Sequence, residues 1–136
     1  MSEEEKVVAI DFDGTIVEFE GWDGPYSVGD VLWEENPREN LKALRENGYK
    51  VMIYTCRSVL EPVREKLNSA GIPFDYINEN PHQPDGISPA KLYADWYVDD
   101  RNPNFKGLDH AVRTILKEDG KNRWPSHQTD DEKATA

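Results

Sequence analysis

The sequence predicts an α/β fold built around a central parallel sheet. Four short apolar runs rich in β-branched and aromatic residues alternate with segments of helical periodicity, and this alternation is typical of βαβ units. A chain of 136 residues has the size of one domain, and 37% hydrophobic residues are enough for one core. The predicted strands cover residues 6–12, 49–55, 74–77 and 94–98.

Three helices are predicted between and after these strands. The first begins at Pro37, a residue favoured at the first helical position, and stops at Gly48. The second begins near Ser58, which can cap the helix, and stops at Gly71. The third covers about residues 107–118, where apolar residues recur at helical spacing.

Two segments depart from this alternation. Residues 16–33 combine glycines and a proline with four aromatic side chains, which indicates a hairpin or flap. Residues 121–136 contain almost no aliphatic side chains, so we expect a flexible C-terminal tail and place the core within residues 1–120. The aromatic side chains of the flap are Phe19, Trp22, Tyr26 and Trp33.

Charge and cysteine content restrict the function classes. The net charge of −11, without a segregated basic patch, argues against a nucleic-acid partner. No apolar run is long enough to span a membrane, and the N-terminus is acidic where an export signal is basic and then apolar. The single cysteine, Cys56, rules out a disulfide within the chain and fits the reducing cytoplasm.

Polar side chains stand at the carboxyl ends of three predicted strands. Asp11 and Asp13 end the first strand, Thr55 ends the second, and Asp99 and Asp100 end the fourth. Ligands of open parallel sheets bind beyond the carboxyl ends of the strands, so these side chains converge if the three strands are neighbours.

Lys91 precedes the last strand closely enough to reach the same edge. The carboxylates require a cation, because two like charges about 4 Å apart repel by about 4 kcal/mol at an effective dielectric of about 20. Ligands that are oxygen atoms only, without His or Cys, favour Mg²⁺ shared with a phosphate. The sequence therefore predicts phosphoryl chemistry on a phosphorylated substrate.

The spacing of the acids suggests their roles. Side chains two residues apart at a strand end face the same side, roughly 7 Å from each other, so one reacting phosphorus fits between Asp11 and Asp13. We expect Asp11 to be the nucleophile that forms an aspartyl phosphate. We expect Asp13 to protonate the leaving alkoxide and then to deprotonate the attacking water.

The remaining candidates bind the phosphate. Gly14 permits a sharp turn that brings backbone N–H groups near the phosphate, and Thr15 follows it. Thr55 is expected to donate a hydrogen bond to a phosphoryl oxygen, and Lys91 to balance charge there. Arg57 is a further candidate for the substrate anion, although it can instead pair with a nearby carboxylate, as can Arg101.

Taken in order, four motifs of this sequence resemble those of the haloacid dehalogenase (HAD) superfamily over residues 6 to about 101. The resemblance implies a Rossmann-like three-layer sandwich and a phosphatase that uses Asp11 as nucleophile and Asp13 as acid/base. It also implies Mg²⁺ bound by Asp11, the backbone carbonyl of Asp13 and Asp100, with Asp99 as an outer or alternative ligand. The motifs are Asp-Phe-Asp-Gly-Thr at residues 11–15, Thr55, Lys91 and Asp99-Asp100.

Members of this family often insert a cap domain after the first motif or before the motif-three lysine. Here those gaps hold about 20 and about ten residues, too few for an independent domain. The chain therefore resembles a capless phosphatase, whose open site suits a large or protruding phosphoester. Otherwise the flap, or a second copy of the chain in a homodimer, must exclude water. The expected substrate is a phosphorylated small molecule or an exposed phosphoester.

Other functions remain open or are disfavoured. A receiver-type switch that keeps its phosphoryl group places its acidic pair before the phosphorylated Asp, whereas here Asp99 and Asp100 come last. A non-catalytic Mg²⁺-binding module is a further alternative. A cysteine phosphatase based on Cys56 would need an arginine where Pro62 stands. Loop residues 78–80 and His82 are candidates for setting specificity.

Overall fold

The fold is a four-stranded parallel sheet with helices, seen in a computed structural model that describes residues 6–81, 83–88 and 92–118. Every strand pair is parallel, and the spatial order is β3-β2-β1-β4. The predicted α/β class is confirmed. The strands are β1 (Lys6–Asp11), β2 (Tyr49–Tyr54), β3 (Tyr76–Ile77) and β4 (Trp96–Val98).

β1 lies between β2 and β4 in the sheet. Its residues 7–10 are all buried, as expected of a strand that is covered on both faces. Its register aligns Asp11 with Tyr54 of β2 and Ile10 with Val98 of β4. The carboxyl ends of three strands therefore lie level with one another. This is the edge at which the predicted site residues stand.

The helices are α1 (Pro37–Glu46), α2 (Glu61–Ser69) and α3 (Leu108–Glu118). α2 begins later than expected, and Ser58 does not cap it. The reason is Pro62, which has no backbone N–H. In a helix capped by Ser58, residue 62 would have to donate an intrahelical hydrogen bond. In the observed helix Pro62 lies in the first turn, where the backbone N–H groups have no intrahelical partner. The first bond of α2 runs instead from the Arg64 N–H to the Leu60 carbonyl, at 3.0 Å.

One face of the sheet carries the main core. Val8 and Ile10 of β1 and the matching residues of β2 pack in a single cluster with buried side chains from all three helices. The steps from β1 to β2 and from β2 to β3 move across the sheet in the same direction. Because such crossovers are right-handed, α1 and α2 lie on the same face. The helical members of this cluster are Leu41, Leu44, Val63, Leu67, Leu108, Val112 and Ile115.

The opposite face is covered differently from the expected three-layer sandwich. Its buried side chains Val7, Ala9 and Met52 pack with Ala94 and the partly buried Leu92, which precede β4. The described part of the chain has no helix in this second cluster. Between β3 and β4 the described residues form turns, bends or no regular structure, so no second helical layer is seen among them.

Residues 16–33 leave the sheet after β1 and return to a short 3₁₀ turn at Trp33–Glu35. The base of this flap is closed by two backbone hydrogen bonds, from Glu18 N–H to the Asp30 carbonyl at 2.8 Å and from Leu32 N–H to the Ile16 carbonyl at 2.9 Å. The predicted tail at residues 121–136 lies outside the described residues. Within the described ranges, no helix combines the length and the apolar character that crossing a membrane requires.

Candidate functional site

Three carboxylates meet at the carboxyl edge of the sheet. Asp11 ends β1, and Asp99 and Asp100 follow β4 directly, so the adjacency of these two strands brings the acids together. One ligand oxygen from each lies within 4.8 Å of the other two. The structure therefore places three of the predicted metal ligands in one cluster.

Asp11 shows how unfavourable this cluster is without a positive charge. Burial raises its pKa to about 8, with further contributions from a hydrogen bond with Asp100 and from the charges of Asp99 and Asp100. The cluster consequently favours a proton or a cation between its members. Because the donors are all carboxylate oxygens, they could hold a hard divalent cation.

Asp99 is held by groups on either side of it. Its Oδ2 accepts a 2.6 Å hydrogen bond from the Tyr54 hydroxyl, and its Oδ1 accepts one of 2.9 Å from the Arg101 N–H. Burial alone would raise the pKa of Asp99, but these hydrogen bonds bring it below its ordinary value. Asp100 is the more exposed of the pair. Tyr54 was not predicted from the sequence, although its place at the end of β2 puts its hydroxyl at this edge.

Gly14 turns the chain sharply after the first motif. Its φ of +86° is a conformation that residues with a side chain rarely adopt, and a Cβ there would come within 2.8 Å of Cγ of Asp100. The Gly14 N–H bonds to the Val17 carbonyl at 2.8 Å, and the Thr15 N–H lies 3.3 Å from the Phe12 carbonyl. Both of these predicted phosphate donors are thus engaged within the loop.

Arg57 binds Asp13 with two parallel hydrogen bonds. Its Nε donates to Oδ2 and its Nη2 donates to Oδ1, both at 2.8 Å. The arginine side chain is only 4% exposed, and the hydrogen bond with Asp13 raises its pKa further. Of the two roles that the sequence left open for Arg57, the structure shows pairing with a carboxylate.

Thr55 is fixed at the edge by a side chain from the next strand end. The amide of Asn78 accepts a 2.9 Å hydrogen bond from the Thr55 N–H and donates one of 3.0 Å to the Thr55 carbonyl. The Thr55 hydroxyl accepts a 3.1 Å hydrogen bond from the Arg57 N–H. Asn78 itself has a φ of +55°, which Asn tolerates better than most residues. The sequence pointed to residues 78–80 as loop residues of this edge, but not to this positioning role.

A cavity of about 460 Å³ opens at this edge, a size suited to a small molecule. The predicted acids, Thr55 and Arg57 line it together with the flap side chains Phe19 and Trp22. Arg101 also lines it. Lys91, the predicted charge-balancing residue, and His82, a candidate for specificity, lie outside the described residues.

No protein-family model, curated protein or solved structure matches this chain. Asp11, Asp13 and Thr55 line one cavity, and Asp11 also belongs to the acidic cluster with Asp99 and Asp100. The acidic cluster can hold a divalent cation. A carboxylate in the cavity can attack an electrophile, and another can exchange protons with the substrate.

Proposed function

We propose that this protein is a Mg²⁺-dependent phosphohydrolase that cleaves phosphate monoesters through an aspartyl phosphate on Asp11. The observation that carries the proposal is the convergence of Asp11, Asp99 and Asp100 within 4.8 Å, in one cavity with Asp13 and Thr55. Together with the order of its motifs, this arrangement supports a HAD-like core without a cap domain. Its substrate would be a phosphorylated small molecule or an exposed phosphoester.

The metal would be held by Asp11, Asp100 and the backbone carbonyl of Asp13. Asp99, whose two oxygens already accept hydrogen bonds from Tyr54 and Arg101, would act from outside this set. When bound, Mg²⁺ supplies positive charge that neutralises the carboxylates and the phosphate.

In the first step an Oδ atom of Asp11 attacks phosphorus. A bond forms between that oxygen and phosphorus, and the bond between phosphorus and the ester oxygen breaks. Asp13 gives its proton to the departing oxygen, so the alcohol leaves neutral. The Thr55 hydroxyl would donate a hydrogen bond to a phosphoryl oxygen, and Lys91 would balance its charge.

In the second step water attacks the phosphorus of the aspartyl phosphate. Asp13, now ionised, takes a proton from the water, and the bond between phosphorus and Asp11 breaks. Inorganic phosphate leaves, and both acids return to their starting states. The same carboxylate thus serves as acid and then as base.

Hydrolysis of p-nitrophenyl phosphate with and without Mg²⁺ tests the proposal. Wild type should turn over only with the metal, and Asp11→Asn should be inactive because an amide is not a competent nucleophile. Asp85→Asn is the matched control, since it removes an exposed acid that does not line the cavity. No Mg²⁺-dependent turnover, or equal turnover by Asp11→Asn, would refute the proposal.

Two further readouts separate the alternatives. Calorimetric titration with Mg²⁺ reports the metal site independently of activity, and intact-mass measurement after exposure to substrate reports a phosphoryl group on the chain. Mg²⁺ binding without turnover of any phosphoester would favour a non-catalytic module. A phosphoryl-Asp11 that persists for hours would favour a phospho-accepting switch.

A further inference from the structure

Arg57 connects two parts of the site that are distant in sequence. Besides its two hydrogen bonds to Asp13, its guanidinium donates to the backbone carbonyl of Ser27 at 2.9 Å and to that of Pro25 at 3.3 Å. Both carbonyls belong to the flap, residues 16–33. A single buried guanidinium therefore joins the flap to Asp13.

The Trp22 side chain adds a contact to this connection. Its ring lies 5.1 Å from the Arg57 guanidinium carbon, within the range of a cation–π interaction, and its side chain also lines the cavity. The side chain of Arg57 is 4% exposed, so these interactions are shielded from water and salt. Trp22 of the flap therefore contacts the same residue that binds Asp13.

The fork geometry fixes the direction of the Asp13 carboxylate. A carboxylate offers about four acceptor positions on its two oxygens, and the two parallel bonds from Arg57 occupy two of them. The others are left for a proton, a water molecule or a leaving oxygen. Arg57 can therefore orient Asp13 without occupying the positions at which Asp13 would exchange protons.

We propose that Arg57 is a positioning residue that aligns Asp13 for proton transfer. This alignment depends on the contacts between Arg57 and the flap. This inference rests on the proposed function, because it assigns to Asp13 the acid/base role in phosphoester cleavage. It extends that function by naming what orients the acid. It also gives residues 16–33 a part in the chemistry beyond covering the cavity.

The test compares two substrates that differ in their need for a proton. An alkyl phosphate such as propyl phosphate requires protonation of its leaving oxygen, whereas p-nitrophenolate leaves without it. Arg57→Gln should lower kcat/KM for propyl phosphate by about 10²-fold, the lower range of general acid catalysis, and for p-nitrophenyl phosphate by clearly less. Arg57→Lys, which keeps the charge without the fork, should fall between wild type and Arg57→Gln.

A double-mutant cycle with Asp13→Asn shows whether the two residues act together. If Arg57 acts through Asp13, adding Arg57→Gln to Asp13→Asn should cause no further loss with propyl phosphate. Arg64→Gln is the control, because it removes an exposed arginine on α2 outside the cavity. Losses that multiply in the double variant would overturn the proposal.

The role of the flap is tested by a substitution that changes neither Arg57 nor Asp13. A Cβ at Gly29 would meet the backbone of Glu18, 3.1 Å from its carbonyl carbon, and would force the base of the flap to shift. Gly29→Ala should therefore lower kcat/KM more for propyl phosphate than for p-nitrophenyl phosphate. An equal loss for both substrates in this variant would refute the dependence on the flap.

The outcomes distinguish this inference from the proposed function. Absence of Mg²⁺-dependent turnover in the wild type refutes the proposed function itself. An active wild type with equal losses for both substrates in Arg57→Gln, or with a gain for propyl phosphate, refutes only the role of Arg57. Circular dichroism and the Tm of each variant show that the compared chains are folded.

Discussion

Tyr54 at the end of β2 donates a 2.6 Å hydrogen bond to Asp99, which follows β4, and thereby bridges the end of β1 that lies between them. The bond orients a member of the acidic cluster from outside it. It also links both neighbours of β1 at the height of Asp11, since Asp11 and Tyr54 are register partners.

Tyr54→Phe should weaken Mg²⁺ binding about 10- to 100-fold, the usual cost of losing an outer hydrogen bond at a metal site. Only the hydroxyl is removed, so the packing of the ring is retained. Calorimetric titration with Mg²⁺ measures the effect. Unchanged affinity would show that Asp99 is not oriented by Tyr54, and Tyr97→Phe is the control because its hydroxyl bonds to the Leu92 carbonyl instead.

Gly14→Ala should abolish Mg²⁺ binding, because the added Cβ overlaps the carboxylate of Asp100. Gly86→Ala provides a matched control: its φ of +89° is nearly that of Gly14, but no atom lies within 4 Å of its added Cβ. Both variants should lose about 1–2 kcal/mol of stability from the left-handed backbone. Only Gly14→Ala should also lose the rise in Tm that Mg²⁺ causes, and equal Mg²⁺ responses would contradict the prediction.

The acid sensitivity of the fold should depend in part on Asp109. Hydrogen bonds from Asn40 and Arg113 to its carboxylate lower its pKa to about 2, and the bond from Asn40 connects the start of α3 to α1. Because the folded pKa lies below that of the unfolded chain, this stabilisation is complete above about pH 4 and is lost as the pH falls toward 2.

Urea unfolding of wild type and Asp109→Asn across this pH range measures the contribution. The variant should be less stable at pH 6, and the difference between the two proteins should shrink as the pH approaches 2. A difference that stays constant with pH would show that the carboxylate charge does not contribute.

Leu44→Ala should destabilise the protein by about 2–5 kcal/mol, the usual cost of truncating a fully buried leucine. Leu44 lies on α1, is 0% exposed, and belongs to the core cluster beneath the sheet. Lys42→Ala, an exposed change on the same helix, should have little effect. Denaturant unfolding without metal checks both values, and equal stabilities of the two variants would contradict this account of the core.

The strands and the cluster of acids were predictable because both depend on local pattern. Apolar runs fixed where β1 to β4 lie, and polar residues at their ends pointed to Asp11, Asp99 and Asp100. The βαβ pattern predicted a parallel sheet but left open which strands are neighbours. The structure shows β4 beside β1, and this brings the acids together.

What the sequence did not reveal depends on contacts across long stretches of chain. Nothing near Arg57 indicates that Asp13 and the carbonyls of Pro25 and Ser27 are its partners. Periodicity likewise does not say which face a helix covers, so the expected three-layer arrangement was not distinguished from helices gathered on one face. The roles of Tyr54 and Asn78 could not be predicted for the same reason, because each residue binds a residue at the end of a different strand.

The position of β1 has a consequence for how the protein is made. Of the four strands, β1 is synthesised first and β4, its neighbour in the sheet, is synthesised last. Until β4 docks, one side of β1 has no partner strand, and Asp11 stands apart from Asp99 and Asp100. A cation that needs both Asp11 and Asp100 cannot bind before β4 is in place, so the proposed Mg²⁺ would stabilise the completed sheet and would not guide early folding.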